Sequence, residues 1–231
     1  MKTADEITAE VKEILKTRWS TRKGTKVPEP EDVTLGNDAV YIEGTVLYAD
    51  MADSTALVNG FKDWFAAEVY KSYLVAASHI IRNNSGEITA FDGDRIMAVY
   101  VGSTKNSSAA KTSLQLNWAL TKINTELKAE YPNTAFELKH SVGIDTSTLF
   151  VAKTGIRNSN DLVWVGRAAN YAAKLASLPD AAYGAFITES VFNSLSDESK
   201  YGGNPRRSMW EKMQWSERNT AIYKSSWYWK P

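Results

Sequence analysis

Thr3 and Glu6 form a capping pair, and Ile7, Val11, Ile14 and Leu15 follow at helical spacing. They predict a first helix over 4–19. Residues 21–32 hold Gly24, Pro28 and Pro30 and read as a loop. A β-branched and aromatic run predicts a strand over 40–49. Asp53 or Ser54 is suited to cap a long helix reaching residue 83, and Asn84, Ser85 and Gly86 end it. Residues 88–91 and 96–101 read as short strands joined by a hairpin at Asp92 and Gly93. A second long helix is predicted over 106–131, closed by Pro132, then a strand over 136–144. A strand over 162–165, a helix over 167–178 and a strand near Phe186 complete the reading.

The order strand, helix, strand, strand, helix, strand is the split βαββαβ pattern of a ferredoxin-like core, an α+β fold. No linker or repeat divides the chain, so residues 1–231 read as a single domain. Its core spans about 38–195, preceded by the helix over 4–19 and followed by an aromatic extension over 205–231. The strand-like end of that extension is expected to dock on the core.

In this topology the first core strand lies antiparallel beside the third. Its C-terminal end meets the hairpin that leads into the third strand. Asp50 stands at that end and Asp94 in that hairpin. Two carboxylates side by side repel unless protonated or bridged by cations. Oxygen ligands suit Mg2+ or Mn2+. Two such ions about 3.5–4 Å apart activate an attacking oxygen and steady a leaving one. The turn after Asp50 adds a helix N-terminus suited to a polyphosphate, with the hydroxyls of Ser54 and Thr55 beside it. Taken singly, each aspartate also suits a plain turn; their convergence is what points to metal.

Composition narrows the chemistry. Apolar residues make up 43% and charged residues 23%, with a formal net charge of zero, so the basic excess of a nucleic-acid binder is missing. There is no cysteine and there are only two histidines, His79 and His140, which removes thiolate chemistry and leaves little for an imidazole zinc site. Carboxylates, amides, lysines and arginines must carry any reaction. No apolar run has the length of a signal peptide core or a membrane span, so a cytoplasmic protein is expected.

Four segments, in order, resemble the class III adenylate and guanylate cyclases. LYADMADST over 47–55 resembles their first metal motif and FDGDRIMAV over 91–99 their second. VGIDT over 142–146 is similar to the strand after the second long helix. WVGRAANYAAKL over 164–175 is similar to the segment carrying the catalytic asparagine and basic residue. The resemblance implies that Asp50, Asp94 and the carbonyl of Met51 hold two Mn2+ or Mg2+ ions per site. It implies that Asn170 orients the ribose. Lys174 stands where arginine is usual, keeping the positive charge and losing the planar fork. Asn170 and Lys174 also share a helical face by their i, i+4 spacing. Cyclases of this class place the metal aspartates on one protomer and the asparagine and basic residue on the other, so a homodimer with shared active sites is implied.

The positions that read purines in these enzymes are Ala90 and Val163 here, which match neither purine pattern. Either the domain is silent or it reads another base. Retention of both metal aspartates, Asn170 and a basic residue favours another base. Tyr48 has the bulk to shorten the pocket, and Arg95 can donate to a pyrimidine carbonyl; a core tyrosine and a surface arginine are the plain readings. These features and the Trp-rich tail are similar to the free-standing pyrimidine nucleotide cyclases of bacterial Pycsar anti-phage systems. That resemblance implies a pyrimidine nucleoside triphosphate as substrate and a separate effector activated by the cyclic nucleotide. Uracil offers acceptors at O2 and O4, cytosine has an acceptor at O2 and a donor amino group at C4, and arginine only donates. UTP is therefore expected ahead of CTP. An adenylate cyclase with atypical base contacts and a non-catalytic dimerisation module are the rival readings.

Overall fold

In the computed structural model, which describes residues 1–178 and 182–231, helix α1 (Ala4–Lys16) begins on the expected cap. The Thr3 N–H donates to the Glu6 carboxylate at 2.7 Å, and the Glu6 N–H donates to the Thr3 hydroxyl at 3.3 Å. The helix stops at Lys16, short of residue 19. The Asn37 amide donates to the carbonyls of Ile14 and Thr17, at 2.8 and 2.6 Å, and so satisfies groups that a further turn would have used. Ile7, Val11, Ile14 and Leu15 are all exposed, and no residue of α1 is buried.

The expected loop over 21–32 contains strand β1 (Ser20–Lys23), which runs parallel to the start of β2 (Asp38–Met51). All four of its residues are exposed, so no apolar alternation marked it. The predicted long helix after β2 is two helices, α2 (Ser54–Gly60) and α3 (Asp63–Asn83). The break falls where Phe61 and Lys62 are extended. Phe61 turns inward there onto Phe65 and Phe136, with ring centroids 5.1 and 5.5 Å away. Asp53 does not cap α2 with its side chain; its backbone is left-handed, with φ 59°, and makes the sharp exit from β2.

Strands β3 (Glu87–Asp92) and β4 (Arg95–Tyr100) form the predicted hairpin, and α4 (Lys105–Glu130) the second long helix. The strand expected over 136–144 is β5 (His140–Ile156), which starts later and runs much further, turning back as β6 (Ser159–Val165). Then come α5 (Arg167–Leu175), β7 (Ala185–Thr188), α6 (Glu189–Asn193) and α7 (Asp197–Lys200). A small hairpin of β8 (Tyr201–Gly202) and β9 (Arg207–Ser208) precedes β10 (Glu211–Trp215) and β11 (Thr220–Ser225).

The main sheet runs β10-β11-β7-β5-β2-β4-β3. Its β5-β2-β4-β3 portion is antiparallel throughout, the ferredoxin-like order, so the α+β expectation holds. Alternation along β2 divides the interior into two cores. Leu47, Ala49 and Met51 face α3 and α4 and pack with Val69, Tyr73 and Leu114. Val40, Ile42 and Val46 face the other way and pack with Leu149, Val151 and the alanines of α5. Among the described residues no helix is long and apolar enough to cross a membrane.

The C-terminal segment does lie against the core. Strand β11 pairs with β7, and beyond it the Trp229 N–H donates to the Leu114 carbonyl at 3.0 Å. The final aromatic residues are not themselves a strand; a buried polar chain holds them. The Asn117 amide donates to the Trp227 carbonyl at 2.8 Å, and its oxygen lies 2.8 Å from His140 Nε2. His140 Nδ1 lies 3.1 Å from the Tyr73 hydroxyl. One tautomer satisfies every group: Nε2–H donates to Asn117, and Tyr73 donates to Nδ1.

Burial holds the His140 imidazole neutral, with its pKa lowered from 6.5 to about 4. The unfolded chain therefore takes up a proton that the folded chain refuses. Stability present above pH 6.5 is lost as pH falls towards 4, by roughly 3 kcal/mol in all. Denaturant unfolding at pH 7 and pH 4.5 checks this. The wild type is expected to lose more stability between the two values than His140→Gln does. An equal loss in both proteins counts against it.

Candidate active site

Register places the acidic residues. Asp50 lies opposite Arg95 across the β2–β4 pair, and Tyr48 opposite Met97. On the other side of β4, Asp92 lies opposite Arg95 and Ala90 opposite Met97. Gly93 and Asp94 form the turn between these strands, and Gly93 takes φ 63°, a value that costs glycine little. Asp50, Asp92, Asp94 and Arg95 thus gather at one end of the sheet, as the topology predicts.

Because Leu47, Ala49 and Met51 face α3 and α4, Tyr48 and Asp50 point to the opposite face. Tyr48 and Ala90 are partly buried there against the second core, beside Met97. The side chain of Met51 is buried in the first core, so only its main chain is left for the site. Ser54 and Thr55 open α2 just beyond. That helix spans only Ser54–Gly60, so the polyphosphate seat expected from a long helix reduces to the free N–H groups of one short first turn.

Arg95 Nη2 donates to Asp50 Oδ2 at 2.9 Å. Burial pushes the Asp50 carboxyl above the usual range; Arg95 opposes this, and the charges of Asp94 and Asp92 reinforce it. For Arg95, burial disfavours the cation but is outweighed by the bond to Asp50 and the charges of Asp50, Asp92 and Asp94, so the guanidinium stays charged. Burial raises the Tyr48 phenol as well, with Arg95 lowering it and Asp92 raising it. Tyr73, behind the sheet, is raised first by burial and then by Asp50 and Asp94. Both carboxylates therefore act on the same interior point. A carboxyl such as Asp50, which burial and neighbouring negative charge hold above its usual range, gains from a cation beside it.

Among the described residues, no group of three or more His, Cys, Asp or Glu side chains is placed to hold a metal ion. The donor set still fits Mg2+ or Mn2+. Such ions are commonly held by one or two carboxylates together with substrate phosphates and water, rather than by an all-protein cage. Asp50 and Asp94, with the Met51 main chain, are the hard oxygen donors that would fit that arrangement.

Asn170 and Lys174 lie elsewhere. Helix α5 presses Ala168, Ala169, Ala172 and Leu175 onto the sheet. It comes so close to β5 that a Cβ on Gly143 would stand 2.1 Å from the Ala172 carbonyl oxygen. Asn170 and Lys174 occupy the exposed face, as their spacing predicts. Neither side chain has a hydrogen-bond or ion-pair partner among the described residues, and neither meets Asp50 or Asp94. Val163 is also apart from Tyr48. It pairs with Ala152, far along β5 from Gly143, the residue opposite Tyr48, and on the other face of the sheet.

One anchor escaped the sequence reading. Arg167 opens α5 and clamps the fully buried Asp145 through Nε at 3.0 Å, and Nη2 also donates to the Thr146 carbonyl at 2.7 Å. Thr188 adds a hydrogen bond to Asp145 at 2.5 Å. This cluster sets where α5, and so Asn170 and Lys174, is held. Both charges lie inside the quoted runs over 142–146 and 164–175, so an acidic residue in a buried strand was the available signal.

No protein-family model matches the chain. It is 49% identical over 229 residues to a uridylate cyclase of Xanthomonas perforans, covering 98% of this chain and 97% of that protein. It is 46% identical over 231 residues to a uridylate cyclase of Burkholderia cepacia, covering 99% of each. Its fold is similar to that of the adenylyl cyclase CyaB from P. aeruginosa, with a TM-score of 0.70 at 19% identity over 81% of this chain and 95% of that one. The guanylyl cyclase Cya2 gives a TM-score of 0.68 at 18% identity over 83% and 95%. A relative at nearly half identity along the whole length shows that this chain belongs to the uridylate cyclase family, on a fold shared with adenylyl and guanylyl cyclases.

Proposed function

We propose that this enzyme converts UTP to 3′,5′-cyclic UMP and pyrophosphate, in a site that two copies of the chain complete. What carries this reading is the meeting of Asp50 and Asp94 at one sheet end, on the face that carries Tyr48, in a chain so similar to uridylate cyclases. Asp50, Asp94 and the Met51 carbonyl would hold Mn2+ or Mg2+, two ions per site. Bound there, the ions supply Lewis-acid activation of the ribose 3′-hydroxyl and neutralise the triphosphate.

The chain's own groups do the rest. Ser54, Thr55 and the first N–H groups of α2 receive phosphate oxygens. Asn170 orients the ribose, and Lys174 offsets charge that builds on the α-phosphoryl oxygens as pyrophosphate leaves. Tyr48 limits the pocket to a single-ring base, and Arg95 donates to uracil carbonyls. Ala90 leaves the purine-reading position beside Tyr48 without a polar group. Asn170 and Lys174 stand exposed and unpartnered on their own chain, so a second copy must bring them to Asp50 and Asp94. A homodimer with two shared sites follows. Similarity to Pycsar cyclases supports a cytoplasmic role in anti-phage defence, in which cyclic UMP activates a separate effector.

Incubation with each of the four nucleoside triphosphates and Mn2+, reading pyrophosphate and cyclic product, tests the substrate. UTP is expected to be used best, then CTP. Preference for ATP contradicts the pyrimidine reading, and no turnover of any triphosphate by folded protein contradicts the enzymatic one. Lys174→Ala is expected to lower kcat about 10²-fold or more with little change in KM; a change confined to KM opposes a transition-state role. Tyr48→Ala is expected to narrow the preference for UTP over ATP by at least about tenfold. An unchanged ratio shows that Tyr48 does not exclude purines.

A further inference from the structure

The Arg95 side chain sits where the proposed cations belong. Its Nη2 group contacts Asp50 Oδ2 at 2.9 Å, and the Asp50 side chain is only 16% exposed. A guanidinium at that distance supplies the positive charge that a buried carboxylate needs in the absence of a metal ion. Asp92 and Asp94 flank it, since Asp92 pairs directly with Arg95 and Asp94 precedes it in the turn. Arg95 is the cation against which this acidic group is balanced.

The seat is not a finished one. Arg95 Nε is buried and has no hydrogen-bond partner among the described residues. A buried donor left unmade costs free energy that a paired donor does not. Among the described residues the contact with Asp50 is the one hydrogen bond of this side chain, which is 35% exposed and so open to solvent on one side. The fold therefore holds Arg95 against Asp50 by charge and leaves part of its donor capacity unspent.

We propose that Arg95 is a built-in stand-in for the metal, a positioning residue that holds Asp50 in the substrate-free enzyme and must leave when a divalent cation binds. The guanidinium and the cation compete for the same oxygen. Loading the site displaces the one charge-assisted hydrogen bond between Arg95 and Asp50. Metal affinity in the free enzyme is held down as a result. Displacement also frees the guanidinium on the sheet face that carries Tyr48 and Ala90. Metal loading and delivery of Arg95 to that face become a single event. This inference rests on the reading of Asp50 and Asp94 as metal ligands.

Mn2+ binding to the dimeric, substrate-free protein, followed by the loss of the free-ion electron paramagnetic resonance signal, tests it without any turnover. Asp50→Asn separates the two levels of the argument. If the wild type binds no Mn2+, or binds it as well as Asp50→Asn does, the metal reading itself fails. If the wild type binds and Asp50→Asn does not, Arg95→Gln and Arg95→Met decide the inference. Each removes the competing charge and is expected to bind Mn2+ at least about tenfold more tightly than wild type. Arg95→Lys, which keeps a positive charge, is expected to stay closer to wild type than either. Unchanged or weaker binding by a folded neutral variant overturns the stand-in role and leaves the metal site in place.

Discussion

Asp50 faces Arg95 because β2 and β4 pair antiparallel in one register, and the chemistry proposed for this protein depends on that pairing. A slip of one residue would turn every side chain of β2 to the other face. Asp50 and Tyr48 would enter the core now filled by Leu47, Ala49 and Met51. The two hydrophobic cores fix the register, since each takes alternate residues of the same strand. Burial of apolar side chains thus sets the position of a carboxylate that burial itself disfavours. The Arg95 ion pair offsets part of that cost, and Asp92 and Asp94 add to the field that keeps the guanidinium charged.

The second half of the proposed site is positioned by different means. Small residues bring α5 down onto β5, with Gly143 and Ala172 in close approach. The buried Asp145, held by Arg167 and Thr188, fixes where the helix starts. Asn170 and Lys174 are then held rigidly but point outward, and on a single chain they act on nothing. The division into a carboxylate half and an amide–ammonium half is why a second copy is part of the functional proposal.

The ferredoxin-like order and the meeting of Asp50 with Asp94 were legible because both follow from local patterns. Strand alternation, the Asp92–Gly93 turn and two long helical stretches suffice to order the core. Three features were not legible. Strand β1 has no buried side, so no alternation marks it. The break between α2 and α3 goes with Phe61 packing on Phe136 as well as on nearby Phe65, and Phe136 lies outside any local window. The Arg95–Asp50 ion pair requires knowing which side chain wins among several carboxylates, which register alone does not decide. Resemblance supplied the roles of Asn170 and Lys174. Spacing put them on one face, and only the fold reveals that this face is unpartnered.

Co-assembly of two inactive variants tests the shared site most directly. Asp50→Ala lacks the carboxylate half and Lys174→Ala the ammonium half, so each homodimer is expected to be nearly inactive. Dimers that pair one of each carry one intact site. Random pairing is expected to restore about a quarter of wild-type cyclic UMP formation. Recovery at that level supports two chains completing each site; no recovery, with mixed dimers present by mass spectrometry, contradicts it.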